Sequence, residues 1–332
     1  MLSGCALASR TSPCAARPSP LFGAGMAGIA IIANPNARRN REWPLWAQQL
    51  RKAAPGAALL ETRGPQELAE AARTIAAQKP RVVAIAGGDG TVTHTVTALA
   101  AAMDGQLPPL ALLGGGAYDS LAPLGGPGDA EDRLRRLSEA IASGGELRVE
   151  ERDTLSVEGR CGFRFGVGLP VRFVEAIYKG GGAGPWTSWR LLLRAFFSSL
   201  GAGPFARKLY APMDLRVRLD DEEWPRVPIY GLVCSSVAEA GLGLKPFRRA
   251  TEQPGAFQVL GLTAGPRKFA LELPRLLLGR PARRDRLLEG VGEKLELSGR
   301  APLGWFLDGE IYSSSSGRLT VGLGPRVSLV RA

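Results

Sequence analysis

Apolar positions first cluster into short solid runs, each closed by a turn. Residues 28–33, GIAIIA, are apolar throughout and end at Asn34-Pro35-Asn36, which reads as a buried strand feeding a loop. Ala57–Glu61, Val82–Ala86 and Leu110–Leu113 give three more strand-like runs. Between them the spacing changes to the helical period over Trp43–Ala54, Pro65–Gln78 and Val92–Met103. Strands alternating with helices predict a parallel sheet with helices on both faces, an α/β unit spanning 27–146. Near Leu147 the texture shifts. Alternating stretches at Leu147–Glu151, Leu215–Leu219, Phe257–Leu262, Lys294–Leu297 and Arg318–Val321, most of them bounded by turn signals, predict a mostly β sandwich over 147–332. Helical spacing interrupts it at Trp186–Leu200 and Arg267–Leu278. Residues 1–26, rich in Ala, Ser, Pro and Gly, read as a disordered leader, or as sequence upstream of a start at Met26.

Composition sharpens this picture in three places. The chain is 45% hydrophobic and 22% charged, enough to bury a sizeable core. Its 42 Lys+Arg against 31 Asp+Glu leave a net charge of +11, which suits an anionic partner such as a nucleotide or a phospholipid surface. A composition biased toward Arg explains the charge equally well, and no nucleic-acid motif accompanies it, so no nucleic-acid partner is expected. The four cysteines form no CxxC pair, the usage of a reducing compartment. No uncharged apolar run approaches the ~18 residues that suggest a membrane span.

The chemistry concentrates at residues 82–94, VVAIAGGDGTVTH. Gly87-Gly88-Asp89-Gly90-Thr91 follows a buried strand and opens a helix. A plain turn uses Gly and Asp, but three glycines in four residues carry a backbone entropy that a turn does not need. In open α/β sheets ligands bind beyond the carboxyl ends of the strands, and bare amides at a helix N-terminus form an anion site. Asp89 repels a phosphate there unless a divalent cation bridges them, so the pattern points to a nucleotide with Mg²⁺ held at Asp89. Asn34 and Thr62 end the first two strands on the same rim and are placed to contact the nucleotide.

GGDGT after a buried strand resembles the loop shared by the diacylglycerol and sphingosine kinase-like lipid kinases and by the NAD kinases. Three segments favour the lipid kinases: 34–38, NPNAR; 112–125, LLGGGAYDSLAPLG; and 307–310, LDGE. NAD kinases carry an Asn-Glu pair after the glycine loop, and the only asparagines here are Asn34, Asn36 and Asn40. The resemblance implies a Rossmann-like, NAD kinase/diacylglycerol kinase-like α/β domain followed by a β sandwich. It further implies an ATP-dependent kinase acting on a membrane lipid alcohol such as diacylglycerol, ceramide or a sphingoid base, located in the cytoplasm and peripherally on the membrane. By resemblance Asp308 is the general base and Asp89 the metal-binding carboxylate. Gly87, Gly88, Gly90, Thr91, Gly116, Asp119 and Glu310 then surround ATP and Mg²⁺. An alternative is a lipid- or nucleotide-binding protein on the same fold with impaired catalysis. Its basis is a set of departures: Gly116-Ala117-Tyr118-Asp119 stands where the family has Gly-Thr-x-Asn, His94 where many members have Glu, and Pro254-Gly255 where many have Asp-Gly.

Two basic, apolar segments bear on the membrane. Trp186, Trp189, Leu193, Phe196, Phe197 and Leu200 share a helical face beside Arg190 and Arg194, a pattern that suits an interfacial helix and a core helix alike. Arg267–Arg286 holds seven basic residues, a solvated face or a docking site for an anionic membrane surface.

Overall fold

The computed structural model describes residues 28–37, 43–116, 119–180, 185–201, 203–240, 245–278, 280–281, 283 and 285–332. The leader, Arg38, Ala117, Tyr118 and Arg284 lie outside them.

The chain opens as β1 (Ile29–Ala33), α1 (Trp43–Ala53), β2 (Ala58–Glu61), α2 (Pro65–Gln78), β3 (Val82–Gly87), α3 (Asp89–Ala102), β4 (Leu110–Gly115) and α4 (Ala130–Ala142). Strands β1 to β4 are parallel; β1, β3 and β4 are fully buried, because helices cover both faces, and β2, at the sheet edge, is buried only at Ala58. Alternation along β1 sends Ala30 and Ile32 into one core, shared with Leu68, Ile75 and Val96 of α2 and α3. Ile29 and Ile31 enter the other, shared with Leu50 of α1 and Leu134 of α4.

From there the chain runs β5 (Val149–Arg152), β6 (Leu155–Val157), β7 (Arg160–Gly162), β8 (Arg164–Gly168), α5 (Leu169–Lys179), α6 (Pro185–Leu200), α7 (Pro204–Leu209), β9 (Leu215–Leu219), β10 (Glu222–Glu223) and β11 (Gly231–Ser235). It finishes with β12 (Phe257–Leu262), α8 (Pro266–Leu277), β13 (Leu287–Gly292), β14 (Leu295–Gly299), β15 (Leu303–Leu307), β16 (Glu310–Ser314), β17 (Arg318–Leu323) and β18 (Val327–Val330). Two antiparallel sheets, ordered β10-β9-β14-β17-β6-β7 and β13-β12-β11-β8-β15-β16, enclose a core that includes Phe165, Val217, Val259, Leu297 and Trp305. This is the sandwich expected from the alternating pattern.

Two features depart from the sequence reading. The first sheet is ordered β2-β1-β3-β4-β18-β5, so β5 and β18, from the stretch read as sandwich, complete the α/β unit. Alternation cannot reveal this, since it says which face of a strand is buried and not which sheet it joins. Helix α3 also starts earlier than Val92, at Asp89, and its first bond runs from the Val92 amide to the Gly88 carbonyl. Glycines hide the start from a periodicity argument because they carry no side chain to register. Helix α3 then joins the two units: Thr97 Oγ1 accepts from the Cys161 amide of β7 at 2.9 Å.

Candidate active site

Two glycine loops meet at the carboxyl ends of β3 and β4. A register shift between Ile85 and Ala86 makes room for an extra residue in β4, after which Gly114 and Gly115 take positive φ (82° and 129°). The loops stack backbone on backbone. A Cβ added at Gly116 would lie 2.3 Å from the Gly88 Cα, and one added at Gly88 would lie 2.9 Å from the Gly116 Cα. This close approach, not an unusual φ, is what requires glycine at both positions. Gly88 caps α3 without a side-chain hydrogen bond, and Gly88, Asp89, Gly90 and Thr91 all line a cavity. That arrangement fits nucleotide phosphates.

Asn34, Thr62 and Glu310 line one cavity with these loops. The Asn34 Oδ1 accepts from the Asn36 amide at 2.9 Å, and its Nδ2 donates to Thr91 Oγ1 at 3.4 Å. Thr62 is buried with its hydroxyl directed to the Ala33 carbonyl at 3.4 Å, so it shapes the wall more than it offers a donor. Glu310, at the start of β16, reaches back to the glycine loop: a Cβ on Gly90 would lie 2.7 Å from its Oε1. His94 is exposed at the edge of the same cavity. Pro254-Gly255 form a turn before β12 whose Gly255 amide donates to Asp153, away from the cavity lining.

The carboxylates are placed differently from the expectation. Asp89 Oδ1 accepts from the Leu121 amide at 3.0 Å, and Oδ2 accepts from the Ser120 amide at 3.1 Å and from the Ser120 hydroxyl. The Arg164 Nη2 completes the set at 3.4 Å from Oδ2. Asp119, with φ of 40°, folds its carboxylate onto the amides of Gly115 and Gly116 at 3.0 and 2.7 Å. Each aspartate therefore clasps a loop. Asp89 accepts three protein donors at Oδ2 and one at Oδ1, so most of its acceptor capacity is turned to the protein. No cluster of three metal-capable side chains occurs among the described residues.

Asp308 sits at the tight turn between β15 and β16, with φ of 45°, and is buried. Its Oδ2 accepts from Thr93 Oγ1 and the Phe163 amide, both at 2.8 Å. Its Oδ1 accepts from the Arg164 amide at 3.0 Å and from Arg164 Nε at 3.3 Å. Burial pushes the carboxyl above its ordinary value, while Arg164, the Phe163 amide and Thr93 pull it back down. Tyr178 of α5 closes the turn from outside, donating to the Gly309 carbonyl at 3.0 Å. Burial, and then the charges of Glu310 and Asp89, raise its phenol.

Sequence reasoning missed Thr93, Ser120, Arg164 and Tyr178. Arg164 had a signal: a lone charge in the otherwise apolar run 163–168, FRFGVG. Thr93 had none, since a threonine on a helix is ordinary until its partner across the fold is known.

One cavity of about 1060 Å³ runs from these loops into the sandwich unit. Near the loops it is lined by Asn34, Gly88, Asp89, Thr91, Gly116 and Glu310. Beyond Asp308 the lining becomes apolar, with Phe173 and Ile177 of α5, Leu192 and Phe196 of α6, and Phe269 and Leu273 of α8. The outer side of α6 is exposed at Trp186, Leu193, Phe197 and Leu200, and Leu271 and Leu278 extend the patch along α8. This decides against a core role for the outward face. The basic stretch is thinner than it reads in sequence, because Arg275 and Arg286 both pair with the buried Glu272, at 3.4 and 3.0 Å. No helix among the described residues is long and apolar enough to cross a membrane.

Residues 28–147 match the family model of the diacylglycerol kinase catalytic domain; GGDGT and NPNAR lie within the matched residues, and LDGE lies beyond them. The fold is similar to solved structures from Bacillus anthracis str. Sterne. One, of a diacylglycerol kinase, is 12% identical with a TM-score of 0.63, over 92% of this chain and 97% of that one. A candidate diacylglycerol kinase is 15% identical with a TM-score of 0.69, over 94% of this chain and 98% of that one. Among curated proteins there is no significant match.

Proposed function

We propose, from the diacylglycerol kinase catalytic domain formed by residues 28–147, that this chain is a kinase transferring the γ-phosphate of ATP to the hydroxyl of a membrane lipid. The observation that carries the reading is the single cavity that starts at the glycine loops, passes Asp308 and ends among apolar side chains. ATP supplies the transferable phosphoryl group. The amides at the start of α3 hold its phosphates, Asn34 and Thr91 border them, and the apolar chamber takes an acyl or sphingoid chain while leaving its hydroxyl at the junction. In phosphoryl transfer, position and charge neutralisation do most of the work.

Asp308 is the base in this reading, and one of its four donors must give way to the substrate hydroxyl. Two are backbone amides and one is an ion-paired guanidinium. Thr93 is the fourth, and a helical threonine has a second rotamer that bonds a carbonyl one turn earlier. The lipid hydroxyl thus takes the place of the Thr93 hydroxyl. The exposed apolar face of α6 and α8, with Arg190 and Arg194 beside it, docks the chamber on the membrane surface. The closed hydrogen-bond set of Asp308 and the carboxylate of Asp119 on the Gly115 and Gly116 amides favour a second reading, a nucleotide- and lipid-binding protein without turnover.

The experiment offers the purified protein ATP, Mg²⁺ and micelles containing diacylglycerol, ceramide or a sphingoid base, and reads phosphorylated lipid by mass spectrometry. At least one should gain phosphate. ATP binding with no product from any lipid would overturn the kinase reading in favour of the binding protein.

A further inference from the structure

Both buried carboxylates of the junction are joined to one cation that belongs to the protein. The Arg164 Nη2 lies 3.4 Å from Asp89 Oδ2, and its Nε lies 3.3 Å from Asp308 Oδ1. Nη2 also donates to the Ser120 hydroxyl, which itself donates to Asp89. The three side chains are at most 10% exposed, so neither carboxylate is neutralised by solvent. We infer that Arg164 is the resident counter-cation of this site: its guanidinium stands between Asp89 and Asp308 where a protein-held divalent ion would otherwise sit.

Three observations support this. Both oxygens of Asp308 and Oδ2 of Asp89 each accept at least two protein hydrogen bonds, and Asp89 Oδ1 accepts one from the Leu121 amide, so little of either carboxylate is left for an ion. Arg164 cannot swing aside easily, because its own amide and that of Phe163 are bonded to the same Asp308 carboxylate that its Nε contacts. A divalent ion placed beside Asp89 would also meet a guanidinium at short range in a site with little solvent to screen the repulsion. The consequence is a division of labour. The protein offsets half the charge of its two aspartates itself, and a divalent ion reaches the site on the nucleotide phosphates instead of waiting in the empty protein.

The inference takes only that last clause from the proposed kinase activity. Its test uses neither nucleotide nor lipid, so the two stand or fall separately. Mn²⁺ is titrated into the full-length protein and free Mn²⁺ is followed by electron paramagnetic resonance. Wild type should bind no Mn²⁺ at micromolar concentrations. Arg164→Gln should bind it at least tenfold more tightly, and the double variant with Asp89→Asn should lose that gain. Arg164→Lys keeps a charge and should behave as wild type. Micromolar binding in wild type that Asp89→Asn abolishes would overturn the inference, as would a folded Arg164→Gln with no gain, or a gain in Arg164→Lys. If Arg164→Gln does not fold, the double variant decides. It should melt well above the single variant because it restores the charge balance, and a melt no higher would overturn the inference.

Discussion

The contact between the two glycine loops can be tested with one methyl group. Gly116→Ala places a Cβ 2.3 Å from the Gly88 Cα and 2.8 Å from Asp119 Oδ1. Carbon atoms pack best at about 3.5–4.0 Å, so the loops must part by roughly an ångström or more. Backbone faces the new methyl on one side and a loop-clasping carboxylate on the other, so no flexible side chain can absorb the change. Overpacking of this kind costs about 1–3 kcal/mol. The displacement also pulls the Gly88 loop, and with it the amides of Asp89, Gly90 and Thr91, off the phosphate position. Losing one or two charge-assisted hydrogen bonds there should weaken ATP binding about 10- to 100-fold. Gly322→Ala is the control, because a Cβ at that position meets nothing within 4 Å. Calorimetric ATP titration and urea melts of both variants give the answer. A Gly116→Ala protein with wild-type ATP affinity and stability would refute the stacked-loop geometry.

Other perturbations probe the rest of the site. Thr93→Val removes a hydrogen bond that lowers the Asp308 carboxyl in the lipid-free protein, so the acid limb of the kcat/KM profile should move to higher pH; an unmoved limb would show that Asp308 does not set it. Replacing the exposed Trp186 and Phe197 by Ser should leave the melt within about 0.5 kcal/mol. It should cut binding to phosphatidylglycerol vesicles about tenfold or more per residue, and unchanged co-sedimentation would remove α6 from the docking face. Burial pushes the Tyr210 phenol up to about 12, so between its ordinary value near 10 and that point the folded chain keeps a proton that the unfolded chain has released. Stability from this group is therefore whole below pH 10 and is lost as pH rises through about 12, and Tyr210→Phe should flatten the slope of the urea midpoint across that window. A slope identical in both proteins would contradict the buried phenol.

The strands and helices were legible because their periods differ, and β9 and β12 fall where the alternation of 215–219 and 257–262 put them. The glycine loops and the LDGE turn were legible as motifs, and the fold brings Gly88, Gly116, Asp308 and Glu310 to one cavity. What could not be read was partnership across long separations. Asp308 meets Thr93 across 215 residues, and local patterning carries no information about that contact. The roles of Asp89 and Asp119 turned on the same difficulty, since a carboxylate on a glycine turn holds an ion or clasps a loop depending on donors that arrive from elsewhere. For Asp89 those donors are Ser120, Leu121 and Arg164. The outward orientation of the α6 stripe was open for a related reason: an apolar helical face looks the same whether protein or membrane covers it.

The central claim is that nucleotide and lipid meet at Asp308, and Asp308→Asn tests it most directly. One preparation of the variant is measured twice: for ATP affinity by calorimetry, and for transfer of the labelled γ-phosphate of ATP into extractable lipid. Asn keeps the shape of the side chain; its NH2 faces two of the former donors, but among the described residues no glycine-loop atom bonds Asp308 directly, so affinity should stay within about twofold while transfer falls by about 10²–10⁴. Transfer at the wild-type rate, or a loss of ATP affinity as large as the loss of transfer, would contradict the account.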